Sequence, residues 1–266
     1  MRGPSPVALH MRQSAAWQRY FERNRDRDSP GVGSMDALSP PVRAALIRSL
    51  GRFYLGASSE GRLAKEAEAS DDPALDDAMR ASIALYVREE GRHARELAGA
   101  LRALGAPLPR RHWSESLFRR GRRLLGLRTK MMVIVAAEIV GVVFYRLLAD
   151  HVPPVARMAR AIARDEERHL EFQIDYFSRV LGRNLATRLA GGALATTGLF
   201  ALVCCAVSVF VVDHAPLLAA LGVRRSEIVR RCAAITSRSF AARGGRSSPL
   251  RVEQLTSATM GSTFDR

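Results

Sequence analysis

Arg164-Asp165-Glu166-Glu167-Arg168-His169 holds a glutamate and a histidine three positions apart, and Arg88-Glu89-Glu90-Gly91-Arg92-His93 repeats the arrangement upstream. On a helix, residues three apart share a face, so each stretch aims one carboxylate and one imidazole in the same direction. Two such stretches in a chain of 266 residues suggest a chelating site assembled from helices.

The flanking residues place both stretches on buried helix faces. Val155, Met158, Ile162, Tyr176 and Val180 recur at helical spacing, and Glu166, His169 and Gln173 fall on the same stripe, whereas Glu167 and Glu171 lie off it. Pro153 and Pro154 precede this helix and Gly182 follows it, which predicts a span from Val155 to about Leu181. Upstream, the stripe of Met79, Ile83, Tyr86, Leu97, Leu101 and Leu104 carries Glu90 and His93, in a helix predicted between Pro73 and Leu104. Glu89 and Glu96 point more to the side of that helix, and Arg88, Arg92 and Arg95 read as its solvated face.

Each of these helices follows one that carries a single buried glutamate. From Pro40 to Ser70, Leu46, Leu50, Phe53, Ala57 and Ala64 predict one long helix with Glu60 on its stripe and Glu66 and Glu68 off it. Met131 to Tyr145 is apolar throughout apart from Glu138. An ionised carboxylate in such surroundings costs several kcal/mol unless it is protonated, paired with a cation or bound to metal. Glu60 precedes Glu90 by thirty residues, and Glu138 precedes Glu166 by twenty-eight. In an all-α antiparallel four-helix bundle, this spacing brings four carboxylates and two imidazoles to one level of the core.

The pattern resembles that of the ferritin-like di-iron carboxylate superfamily, in which two helices each give one Glu and two others each give Glu-x-x-His. The resemblance covers about residues 44–181 and fills all six ligand positions. It implies a ferritin-like antiparallel four-helix bundle, here with one or two additional C-terminal helices, the first very apolar. It also implies two iron ions, or manganese with iron, held by Glu60, Glu90, His93, Glu138, Glu166 and His169, with Glu90 and Glu166 bridging. In this superfamily the residue before the motif glutamate is often acidic and accepts a hydrogen bond from a ligand histidine. Glu89 and Asp165 stand at those positions, a role that would fix the imidazole tautomer. Tyr145 lies seven residues after Glu138, as in the Glu-x6-Tyr motif of rubrerythrin-like proteins, but the matching position after Glu60 is Ala67. Tyr145 is therefore a candidate catalytic residue on half of that pattern.

What the resemblance implies for function is a di-iron oxidoreductase, a monooxygenase or related enzyme with dioxygen as co-substrate. It would hydroxylate, N-oxygenate or desaturate a small-molecule or lipid-like substrate, with electrons from an external donor. The p-aminobenzoate N-oxygenase group and the demethoxyubiquinone hydroxylases are two comparisons, the first weakened by Ile162 where that group has a further metal-binding histidine. The alternative is a non-catalytic or peroxidase-type ferritin-like iron-binding protein associated with a membrane. The cysteine-rich module usual in rubrerythrin-type peroxidases has no counterpart in a chain with three cysteines.

The rest of the chain is read around this core. Residues 1–38 are expected to form a mobile basic arm without a secretory signal, 39–182 the bundle, 183–243 an apolar helix and a C-terminal helix packed on the bundle or a membrane, and 244–266 a disordered tail. Leu189 to Val212 contains no charged residue and is long enough to cross a bilayer. A helix packed on the bundle is favoured there over contact with a membrane surface, and a true span comes last. The basic stretch from Arg110 to Lys130 reads as a solvated approach to the third helix before an amphipathic patch for an anionic membrane. The net charge is +15, yet Lys65 and Lys130 are the only lysines, so the excess of arginine reads partly as coding bias and nucleic acid is not expected as a partner. An anionic membrane surface and a second copy of the chain in a homodimer are further candidate partners. Cys204, Cys205 and Cys232 form no disulfide or Cys-x-x-Cys framework, which suggests a reducing cytoplasm or the inner face of the cell membrane.

Overall fold

Asp76 ends an extended connection, and its Oδ1 accepts a hydrogen bond from the Met79 backbone N–H at 2.8 Å, starting the helix that carries the first Glu-x-x-His. The computed structural model describes residues 6–58, 61–112, 126–180 and 185–244. Glu60, most of the basic stretch (113–125) and the C-terminal tail from 245 lie outside the described residues. Those described form an all-α bundle: α1 (Pro6–Asn24), α2 (Pro40–Ala57), α3 (Gly61–Glu68), α4 (Asp77–Ala103), α5 (Leu127–His151), α6 (Ala156–Val180), α7 (Leu185–Asp213), α8 (Ala215–Ala220) and α9 (Arg225–Gly244).

Proline and glycine punctuate the chain where the fold turns. Gly105 closes α4 at φ +71°, a left-handed conformation that other residues adopt at a cost. Pro153 and Pro154 make one 3-10 turn between α5 and α6. The two helices then run antiparallel, since Ala149 meets Arg160, Arg146 meets Glu167, and Glu138 meets Gln173. Between α4 and α6 the order is likewise reversed, with Tyr86 and Glu89 against His169 and Arg92 against Asp165. Lys130 of α5 pairs with Glu66 of α3 at 2.6 Å, and Arg80 of α4 donates to the Ser70 carbonyl at 2.8 Å. The core is built from Leu46, Leu50, Ile83, Leu97, Phe144 and Ile162, all fully buried.

Two expectations need correction. The long helix from Pro40 to Ser70 is two helices, because α2 ends at Ala57 with Ser58 as its C-cap and α3 starts at Gly61. Glycine and serine, concentrated at Gly56, Ser58, Ser59 and Gly61, are weak helix formers, and serine competes for backbone hydrogen bonds. The second correction concerns the mobile N-terminal arm, much of which is helix α1. Trp17 and Phe21 are buried there, with their rings 5.5 and 5.2 Å from that of Phe172. The Trp17 indole N–H donates to Asp175 at 3.2 Å, so both ends of this amphipathic side chain are satisfied.

The C-terminal helices pack on the bundle. Helix α7 lies on α5, and α9 touches α5, α6 and α7 through a face that includes Ile228 and Cys232. Among the described residues, only α5 is long and apolar enough to cross a membrane by length and composition, and 83% of its apolar window is buried inside the protein. The described apolar part of α7 is the shorter Thr197–Asp213, which exposes Phe200 and Val212.

Candidate metal centre

The two Glu-x-x-His stretches meet where α4 and α6 cross α5, and Glu90, His93, Glu166 and His169 are all buried. One donor atom from each residue lies within 4.8 Å of the other three. His93 and His169 place Nδ1 at 3.1 and 3.2 Å from the same Glu90 oxygen, Oε1. Glu166 divides its carboxylate between them, with Oε1 at 3.6 Å from His93 Nδ1 and Oε2 at 3.4 Å from His169 Nδ1. Glu90 and Glu166 thus stand between the imidazoles.

Whether a metal fits can be judged from these atoms. Glu90 Oε1, Glu166 Oε2, His93 Nδ1 and His169 Nδ1 are buried without a hydrogen-bond partner, since their short distances to one another lack hydrogen-bonding angles. Leaving one such group unsatisfied costs about 1–3 kcal/mol, and here four converge on one place. Carboxylate oxygen and imidazole nitrogen are ligands for divalent first-row metals, so the donor set fits a metal centre.

The opposite side of each ring is held by an acid. His93 Nε2 lies 3.2 Å from Asp165 Oδ2, and His169 Nε2 lies 3.1 Å from Glu89 Oε2. A proton on Nε2 serves both contacts and leaves the Nδ1 lone pairs turned toward the cluster. Arg92 joins the two acids, since its Nη2 donates to Glu89 Oε1 at 2.5 Å and to Asp165 Oδ2 at 2.8 Å. Arg27, just beyond α1, also donates to Asp165. Arg92 was expected on a solvated face, but it is 7% exposed. Its spacing from Glu89 and Glu96 was the available signal, because salt-bridge partners three and four residues away lie on the same side of a helix.

Burial and charge oppose each other throughout the centre. Burial disfavours the His93 imidazolium, but Glu90 and Asp165 outweigh it and raise the group to about 9. Burial likewise works against the Glu90 carboxylate, and the imidazoles, His93 foremost, still hold it below its usual range. Without metal, protons on the histidines supply the positive charge that these carboxylates require.

Glu138 borders the cluster. Its Oε1 accepts hydrogen bonds from the Tyr86 hydroxyl at 2.7 Å and Gln173 Nε2 at 3.2 Å, and lies 3.6 Å from His169 Nδ1. Burial, opposed by His169, raises its carboxyl above the ordinary range. Tyr86 and Gln173 were visible on the predicted stripes, but nothing in their spacing marked them as partners of Glu138. Tyr145 is buried against Phe53 and Phe144, and burial foremost pushes its phenol well up. A cavity of about 190 Å³ reaches Glu90, Glu138 and Glu166, passes Tyr145 and extends to α7. Compared with protein families, with curated proteins and with solved structures, the chain matches none.

Proposed function

We propose that the chain is a di-iron oxidoreductase of the ferritin-like type, which uses dioxygen to hydroxylate, N-oxygenate or desaturate an organic substrate. The observation that carries this reading is the convergence of four unpartnered donor atoms, from Glu90, His93, Glu166 and His169, at one buried point. In this proposal Glu90, Glu166, His93 and His169 would hold the metal with Glu138 as a further ligand, whereas Glu60, the sixth ligand expected from the sequence, lies outside the described residues. Manganese in place of one iron suits the same ligands. When bound, the metal pair supplies the redox chemistry with dioxygen that these side chains lack, and an external donor returns the electrons.

The chain's own residues have separate tasks. Asp165 and Glu89 hold each imidazole in the Nε2–H form and set its direction. Arg92 and Arg27 balance the charge of these acids without reaching the cluster. Tyr86 and Gln173 orient Glu138. The apolar residues of α5 beside Glu138 and Gly141 line the cavity next to these carboxylates. The cavity favours an enzyme over a protein that keeps metal for structure, since a structural site is closed by its own ligands.

Metal analysis of the purified chain should find about two irons per molecule, and the reduced protein should consume dioxygen in a single turnover that changes its optical spectrum. A wild-type protein that folds normally and takes up no iron would overturn the proposal.

A further inference from the structure

The cavity is bounded at one end by the carboxylates of Glu90, Glu138 and Glu166 and at the other by Arg52, Asp213 and His214. Its volume of about 190 Å³ is close to that of an engineered cavity of about 150 Å³ that accepts benzene, so it holds one ring rather than a long chain. The space comes from small side chains. A Cβ at Gly141 would sit 3.6 Å from the Glu166 carboxyl carbon, and Ala137 and Ala206 leave the facing walls of α5 and α7 thin. Gly56 and Ala137 are both exposed and mark the mouth.

Charge and hydrogen bonding restrict the occupant further. The guanidinium of Arg52 is engaged: it donates to the Asp213 carbonyl and to His112 Nε2 at 3.2 Å, and lies 3.8 Å from the Asp213 carboxylate. Among the described residues the other charged groups on the wall are acids, so a buried anion would meet their repulsion with no free cation among those residues. His214 is 5% exposed, and neither of its ring nitrogens has a hydrogen-bond partner among the described residues. Its ring stacks on Phe210 at 4.5 Å and lies 5.4 Å from Phe53. Burial first, then Arg52 and His112, hold the imidazole neutral down to about pH 3. A neutral imidazole has one donor and one acceptor nitrogen, and a hydroxyl can bond to whichever faces it.

We infer that this cavity is the binding chamber for an uncharged single-ring molecule bearing a hydroxyl, with its ring against Phe53 and Phe210 and its hydroxyl on His214. As a substrate assignment the inference rests on the di-iron reading, whereas the binding itself rests on the walls alone. The far edge of the ring then faces Glu138 and Glu166. Longer substituents leave through the mouth at Gly56 and Ala137.

Titration calorimetry with phenol, toluene and benzoate tests this on the full-length protein, as purified and after loading with redox-inert zinc. Phenol should bind at one site about five- to tenfold more tightly than toluene, the effect of one hydrogen bond, and benzoate should bind at least about tenfold more weakly than phenol. His214→Phe keeps the aromatic shape and should bring phenol and toluene to equal affinity. Ala206→Phe should fill the chamber and abolish binding of both, and if circular dichroism shows that it fails to fold, Val209→Trp takes its place. Equal affinities for phenol and toluene in the wild type, a preference for benzoate, or no binding of phenol would overturn the inference. Iron uptake by the same preparation separates the two readings. Protein that takes up iron but ignores phenol loses the chamber and keeps the metal centre, whereas protein that binds phenol but no iron keeps the chamber and loses the metal centre.

Discussion

His93 and His169 lie with ring centroids 5.5 Å apart and turn Nδ1 toward the same oxygen of Glu90, while Nε2 of each faces an acid on the opposite helix. This crossed arrangement makes α4 and α6 depend on each other: the acid on α6 orients the ring on α4, and the reverse.

Asp165→Asn keeps an oxygen beside His93 Nε2 but removes the negative charge that favours its proton. Metal affinity should fall by about 10- to 100-fold, as measured by competition with a chelator, with little change in circular dichroism. An unchanged affinity would show that Asp165 does not tune the site.

Arg92→Leu should destabilise the protein by about 3–5 kcal/mol in chemical denaturation, because Glu89, Asp165 and Glu96 lose a buried counter-charge. Arg27 remains beside Asp165 and is 37% exposed, so water and Arg27 offset part of the effect there. A loss below about 1 kcal/mol would mean that the three acids are charge-compensated in another way.

The helices of the Glu/His cluster were legible because burial repeats at helical spacing, and a glutamate or histidine on an apolar stripe is conspicuous. Glu90, His93, Glu138, Glu166 and His169 all carried that signal. Helix α1 did not, since Trp17 and Phe21 are embedded in arginine-rich sequence between proline- and glycine-containing ends. The interruption after Ala57 was hidden as well, because the apolar stripe of α2 continues in register to Ala64 and Ala67. The cavity has no periodic signature at all: it arises where Ala137, Gly141 and Ala206, on different helices or turns, leave the same volume unfilled.

Glu138→Gln separates the two roles open to this residue. The amide oxygen can still accept from Tyr86 and Gln173, so the metal-free protein should keep its stability to within about 1 kcal/mol. Loss of the carboxylate should nevertheless reduce metal uptake, as measured by metal analysis after reconstitution. Full metal uptake by the variant would confine Glu138 to hydrogen bonding with Tyr86 and Gln173.

Acid should weaken the junction of α2, α7 and α8 through His214. Burial, reinforced by Arg52 on α2 and His112 beyond α4, lowers its folded-state value to about 3 from an ordinary 6.5. A histidine depressed in this way contributes stability that is fully present above its unfolded value and is lost as pH falls from about 6.5 toward 3, because the unfolded chain takes up a proton that the folded chain refuses. Its share of the slope approaches about 1.4 kcal/mol per pH unit in the middle of that window. Asp213, whose carboxylate lies 3.8 Å from both Arg52 and His112, is present in both proteins and cancels in a comparison. Denaturation of the wild type and His214→Phe between pH 7 and 4, in the same metal state, should therefore give curves of different slope, with the wild type losing more stability as the pH falls. Parallel curves would show that His214 protonates as readily in the folded chain as in the unfolded one.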